Sequence, residues 1–239
     1  MIIKKIKILK SIIKEMRSQN DELIWARVWD DTRNGIDWAQ NLPSISPGRW
    51  AVGYNYLYIM TRSLLELKPR AVLDIGLGIS STLVSNYFKY NHFDNSVHTI
   101  IDHDDKWIDF YTKNHCLSSN SEILQLDCIE KEYCGSKYYA YKNFAEAVKG
   151  ERYDVVSIDG PWGSERYSRR DIIGQIPEIL SDNFVIILDD SNRRGEKDTI
   201  AEIEKKLKEA DIEYEIGYYA GQTECALITT KNNRFLCSM

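Results

Sequence analysis

Five short apolar runs of this chain end on, or just before, an aspartate: AVLDIG with Asp74, VHTIID with Asp102, SEILQLD with Asp127, YDVVSIDG with Asp159, and FVIILDD with Asp189 and Asp190. A carboxylate in such a place can accept from hydroxyl or amino groups, bind a hard cation through oxygen, or take a proton. The first run continues as Asp74-Ile75-Gly76-Leu77-Gly78-Ile79-Ser80-Ser81. Its glycines let backbone approach a ligand closely, and its serines cap a following helix. Ser81 stands where the third glycine of a GxGxxG motif would be, so the loop points to a nucleotide-like ligand without specifying a dinucleotide. Asp102 lies 24 positions after Gly78. An acid there suits bidentate hydrogen bonding to two ribose hydroxyls, the plain alternative being an exposed turn acid. Asp127, beside Cys128, can accept from an adenine amino group.

The fourth run closes on Asp159-Gly160-Pro161-Trp162, and the fifth on Asp189-Asp190-Ser191-Asn192-Arg193-Arg194. Two chemistries stay open here. Asp159, Asp189 and Asp190 can hold a magnesium ion, since hard cations favour carboxylate oxygens, or Asp159 or Asp190 can act as a metal-free general base. None of the four histidines follows these two runs, which disfavours a histidine base. Arg166, Arg169 and Arg170 follow the fourth run, and Arg193 and Arg194 the fifth. Guanidinium forks match carboxylate and phosphate, so Arg166, Arg193, Arg194 and the neighbouring Trp162 are candidate contacts for an anionic acceptor such as a uronate or a phosphorylated sugar. Glu165 and Asp171 flank the first group and can pair with it instead.

Positioning these ends requires a parallel sheet. Runs of five to seven apolar residues alternate with helical patterns (SSTLVSNYFKY, DKWIDFYTKNH, YKNFAEAVKG, SRRDIIGQIPEIL and KDTIAEIEKKLKEA), which implies βαβ units with right-handed crossovers. The chain closes differently, with IEYEIGYY and ECALITTK joined by AGQT. That is a hairpin, so the last strand runs antiparallel. The expected fold is α/β, a doubly wound, mostly parallel seven-stranded sheet with ligands beyond the carboxyl ends of its strands.

DIGLGISS, IIDHD and SIDGPWG together resemble the class I S-adenosylmethionine-dependent methyltransferases, including the catechol O-methyltransferase type, over roughly residues 71 to 230. The combination GRWAVGY, GLGISS, DGPWG and LDD is also similar to the glucuronoxylan methyltransferase-like group, which modifies polysaccharides. The resemblance implies an O-methyltransferase of the cytoplasm acting on a small or saccharide hydroxyl. Gly76 and Gly78 would face the methionine part, Asp102 the ribose and Asp127 the adenine, with Asp74, Ser80, Ser81, His103, Cys128 and Asp159 completing the cofactor site. Asp104 substitutes for Asp102 if the register slips. The catechol type also implies Mg2+ at Asp159 with Asp189 or Asp190. Competing expectations are a catalytically silent binding protein of this fold and an NAD-dependent oxidoreductase, the latter opposed by Ser81 and the terminal hairpin.

The chain has 239 residues, 43% hydrophobic and 28% charged, and a formal charge of -5, which fits a soluble domain and argues against general nucleic-acid binding. Five cysteines with no CxxC argue against a disulfide framework or a structural zinc and fit a reducing compartment. Residues 1–17 carry six basic residues against Glu15, so the remainder is strongly acidic. Ile2, Ile6, Leu9, Ile13 and Met16 alternate spacings of four and three, one apolar stripe on a basic amphipathic helix. It lacks the features of a secretory signal. Such a helix docks on the domain, self-associates or lies on an anionic membrane. Residues 1–69 therefore read as this helix and a helical cap, and 70–239 as the Rossmann-like domain. The cap is a loop through NLPSISPG, then a helix from Trp50 to Leu67 whose Trp50 and Tyr54 can cover a cofactor pocket.

Overall fold

The computed structural model describes residues 2–42, 51–93 and 95–238, residues 2–4 by backbone alone. Its strands are β1 (Ala71–Ile75), β2 (Val97–Asp102), β3 (Ser121–Gln125), β4 (Cys128–Tyr133), β5 (Ser136–Tyr141), β6 (Tyr153–Ile158), β7 (Leu180–Leu188), β8 (Tyr214–Ala220) and β9 (Glu224–Thr230). Seven of them form one sheet in the order β3-β2-β1-β6-β7-β9-β8. The first five of that order are mutually parallel, and β9 is antiparallel to both β7 and β8, as the terminal hairpin predicts. The chain leaves β1 towards β2 and returns to β6 on its other side, so the switch point lies between β1 and β6.

Alternation along the strands builds two cores. Val72, Val155, Val185, Ile187 and Leu227 face one side, where α3 (Tyr54–Leu67) and α4 (Ile79–Asn91) bury Tyr56, Leu57, Met60, Leu83 and Val84. Leu73, Ile75, Val156, Ile158, Ile186 and Leu188 face the other, covered by Ile200, Ile203 and Leu207 of α7 (Arg194–Glu209). The period of two in the strands and of three to four in the helices is what brings these sets together. α5 (Asp105–Asn114) begins at Asp104, whose side chain accepts from the backbone of Lys106 and Trp107.

Four elements differ from the sequence expectation. α1 (Ile2–Arg33) continues far past Arg17. Ser18, Glu22, Trp25 and Trp29 form a second stripe at spacings of four, three and four, and this stripe docks. Trp25 Nε1 donates to the Ala220 carbonyl at 2.6 Å, Trp29 Nε1 to Thr61 at 3.1 Å, and Glu22 accepts from the backbone of Tyr54 and Gln222. Tyr54 packs on Trp29 at 5.6 Å, so it serves this docking. Trp50 and most of NLPSISPG lie outside the described residues; α2 (Asp37–Gln40) precedes them. After β3 the chain forms the β4–β5 hairpin, and the helix expected over YKNFAEAVKG shortens to α6 (Phe144–Ala147). The helix expected after β6 is a single 3-10 turn, Asp171–Gln175, because Gly174 and Pro177 stop its propagation. Among the described residues no helix is long and apolar enough to cross a membrane.

Candidate functional site

The loop after β1 is built from buried polar side chains. Asp74 is fully buried; it accepts from Ser80, from Ser81 at 2.6 Å and from Ser157 of β6 at 2.6 Å, and Tyr56 lies 2.7 Å from Ser157. Ser81 in turn accepts from the Gly78 N–H at 3.1 Å. Asp74, Ser80 and Ser81 therefore face inward and shape the loop, leaving its backbone to face outward. Burial pushes the Asp74 carboxyl up to about 6, against the three hydroxyl donors that lower it. Gly76 has φ +112, and a Cβ there would lie 3.1 Å from the Gly160 nitrogen, so this glycine lets β1 close on β6. Gly78 differs: a Cβ there would meet nothing within 4 Å.

At the end of β2, Asp102 accepts from the Leu77 N–H at 2.8 Å and from the backbone N–H groups of His103 and Asp104 at 2.6 and 2.9 Å. One carboxylate thus ties the first loop to the second, and most of its accepting capacity is used in doing so. His103 packs edge-on against Trp162 at 4.6 Å and Tyr141 at 6.1 Å. Both ring nitrogens of His103 and the Tyr141 hydroxyl are buried without a hydrogen-bond partner. His103 Nδ1 lies 3.6 Å from the Asp102 carboxylate, and buried polar groups left without a hydrogen bond are costly. Asp127 is exposed just past β3, 3.7 Å from Lys142. Cys128 opens β4, and burial raises its thiol.

Asp159, Asp189 and Asp190 converge beyond β6 and β7, each offering an oxygen within 4.8 Å of the others. Asp159 is the most exposed of the three, its side chain 23% exposed. Burial pushes its carboxyl well above the usual carboxylate range, Arg169 opposes this, and Asp189 and Asp190 add to it. Asp189 is raised to about 6, first by burial and then by Asp190, while accepting from Thr223 at 3.0 Å. Asp190 is held at φ +61, accepts from Arg169 at 3.1 Å and is ion-paired with Arg193 at 2.7 Å. The Arg169 guanidinium enters this cluster from the segment after β6. It donates to the carbonyls of Pro161 and Asp189 and reaches Asp159 at 3.1 Å. A magnesium ion among the three carboxylates would need the space and charge that Arg169 takes, so these residues as arranged do not fit one.

The rim arginines are largely committed to partners. Arg166 pairs with Asp198 through two nitrogens at 2.5 and 3.0 Å, and Arg170 pairs likewise with Glu202 at 3.1 and 3.0 Å while covering the Tyr133 ring. Arg193 and Arg194 are exposed beside Asp190 at the start of α7. Trp162 is 57% exposed and stands perpendicular to Tyr139 as well as to His103. Tyr139 and Tyr141, which the hairpin delivers, and the interior position of Arg169 were not expected from sequence.

The fold is similar to that of the O-methyltransferase TomG from Streptomyces achromogenes, involved in tomaymycin synthesis and solved in complex with SAM, with TM-score 0.57 at 10% identity over 90% of this chain and 98% of that one. A candidate O-methyltransferase from Klebsiella pneumoniae aligns with TM-score 0.50 at 7% identity, over 91% of this chain and 99% of that one. No protein-family model and no curated protein matches the chain. At these identities the likeness concerns architecture: the chain has the class I methyltransferase fold.

Proposed function

We propose that the protein transfers the methyl group of S-adenosylmethionine to a hydroxyl oxygen of a small-molecule or saccharide acceptor. The observation that carries this reading is the open space beside Gly78 in the loop after β1, a loop held by Asp102, next to which the His103 ring nitrogens and the Tyr141 hydroxyl are buried without a hydrogen-bond partner. The Gly76–Gly78 backbone would hold the methionine part, Asp102 and the loop it fixes the ribose, and Asp127 and Cys128 the adenine edge. The bound sulfonium supplies an electrophilic methyl carbon and a good leaving group.

The chain's own residues then have three tasks. They align the acceptor oxygen with that carbon, exclude water, and take up the hydroxyl proton as the carbon–oxygen bond forms and the carbon–sulfur bond breaks. Asp159 suits the last task, being the most exposed acid of the cluster and one with a raised carboxyl. Asp190 is buried against two guanidinium groups, which favours a supporting role for it over that of base. The exposed indole of Trp162 suits the face of a ring-shaped acceptor. An anionic acceptor finds support chiefly in the exposed Arg194, because Arg166 is already paired with Asp198 and Arg193 with Asp190.

Thermal-shift titration with S-adenosylmethionine, S-adenosylhomocysteine and NAD separates this reading from its rivals, since only a ligand of the folded protein raises Tm. Stabilisation by both sulfur ligands and not by NAD is expected. Stabilisation by NAD alone would select the oxidoreductase, and by none of them the silent binding protein.

A further inference from the structure

We propose that Arg169 is the resident cation of the acidic cluster beyond β6 and β7, a positioning residue that stands where an exchangeable divalent ion would otherwise sit. One nitrogen, Nη2, lies 3.1 Å from Asp159 Oδ1 and 3.1 Å from Asp190 Oδ2, bridging two carboxylates as a metal would. The other nitrogens are also used: Nη1 donates to the Asp189 carbonyl and Nε to that of Pro161, with the fully buried Glu196 3.9 Å from Nε. The side chain is 6% exposed. It is therefore an interior group rather than one waiting at the surface for an anion.

The surrounding chain holds it there. Arg166 and Arg170 flank it and lock onto Asp198 and Glu202, each pair separated by four residues, so the segment lies against two successive turns of α7. Thr199, between those two acids, donates to the Ser168 carbonyl. Tyr167 and Arg169 have φ values of +53 and +55, a left-handed backbone that only such over-determined packing sustains. The resulting cation is covalently part of the chain, always charged, and supplies hydrogen bonds in fixed directions. It leaves no vacant coordination position for acceptor oxygens. Its effect on the proposed methyl transfer runs through the placement of Asp159, and in that respect alone the inference rests on the methyltransferase reading.

Cation titration tests it without cofactor or acceptor, so its failure and that of the methyltransferase reading are distinguishable. Mg2+ and Tb3+ are titrated calorimetrically into wild type, Asp159→Asn, Arg169→Ala, and Arg169→Ala with Asp159→Asn. Wild type should bind neither ion at the cluster. Arg169→Ala should gain a site at least tenfold tighter than any wild-type binding, with Mg2+ raising its Tm, and the added Asp159→Asn should remove that site. A folded Arg169→Ala that gains no site would overturn the proposal. So would wild-type binding abolished by Asp159→Asn alone, a result that stands even if Arg169→Ala does not fold.

A second inference rests independently on α1: we infer that residues 5–17 lie on an anionic membrane surface. All thirteen are exposed, whereas the docked stripe begins at Ser18. Ile6, Ile8, Leu9, Ile12, Ile13 and Met16 are 42–63% exposed and occupy the face roughly 180° from that of Ser18, Glu22, Trp25 and Trp29 at the helical pitch. Lys7, Lys10, Lys14 and Arg17 border this broad arc, and Lys5 lies within it. The segment carries five basic residues against Glu15, so pairing two copies would bring like charges together, whereas an anionic surface complements both faces at once.

Vesicle co-sedimentation at low and high salt, together with sedimentation velocity, tests this on wild type and on Leu9→Glu with Ile13→Glu. Binding to phosphatidylglycerol-containing vesicles but not to pure phosphatidylcholine is expected, at least tenfold weaker at high salt and lost in the double variant. Absence of vesicle binding, binding retained in the variant, or a wild-type dimer that the variant dissociates would overturn it.

Discussion

Asp102 accepts the Leu77 N–H at 2.8 Å, so the carboxylate at the end of β2 holds the glycine loop that follows β1. The two candidate cofactor segments are one mechanical unit through this bond. Removing it should loosen the loop as well as remove an acceptor. A hydrogen bond to a charged group contributes about 1.5–3 kcal/mol, so Asp102→Ala should weaken S-adenosylhomocysteine binding by about one to two decades. Calorimetry with unchanged affinity would contradict the assignment.

The two glycines of that loop should fail in different ways. Gly78→Val adds a side chain to open space, so Tm should hold while cofactor affinity collapses. Gly76→Ala forces a Cβ to 3.1 Å from the Gly160 nitrogen at φ +112, and should lower stability by about 1–3 kcal/mol. Equal effects of the two on melting would count against this division of roles.

Asp74 makes stability depend on pH in a defined direction. Its folded carboxyl, raised from 3.8 to about 6, favours the folded state below the lower value, and that contribution is lost as pH rises through the upper one. The full swing is on the order of 2–3 kcal/mol. Asp74→Asn cannot titrate, so wild type should lose Tm relative to this variant between about pH 4 and pH 7. A difference that stays flat across that window would mean the carboxyl is not raised.

Much of this was legible in the sequence because strand ends are local. The apolar runs stop at their aspartates, and the hairpin of IEYEIGYY and ECALITTK forms β8 and β9. The β4–β5 hairpin escaped because β4 is mostly charged and exposed and shows no apolar run. Its one signal was Cys134-Gly135, a two-residue turn with φ +49 and +71 between pairing runs. Arg169 escaped for a different reason. Its neighbours Arg166 and Arg170 read as rim charges, and only pairing with Asp198 and Glu202 some thirty residues later turns Arg169 inward. A long-range ion pair leaves no periodicity to read.

Asp159→Asn should separate chemistry from binding. The amide cannot take the acceptor proton, so kcat should fall by about 10²–10⁴-fold with an accepted hydroxyl substrate. Affinity for S-adenosylhomocysteine should change little, because the role proposed for Asp159 is on the acceptor proton. Full turnover in the variant would remove Asp159 from the reaction.

The central claim is that the opening above Gly78 receives S-adenosylmethionine. Isothermal titration of S-adenosylhomocysteine into wild type and Gly78→Val tests it most directly, with no acceptor needed. One-to-one binding in wild type, lost in a Gly78→Val that melts normally, is the expected result. A wild-type protein that takes up neither S-adenosylhomocysteine nor S-adenosylmethionine, or a Gly78→Val that binds as tightly as wild type, would contradict it.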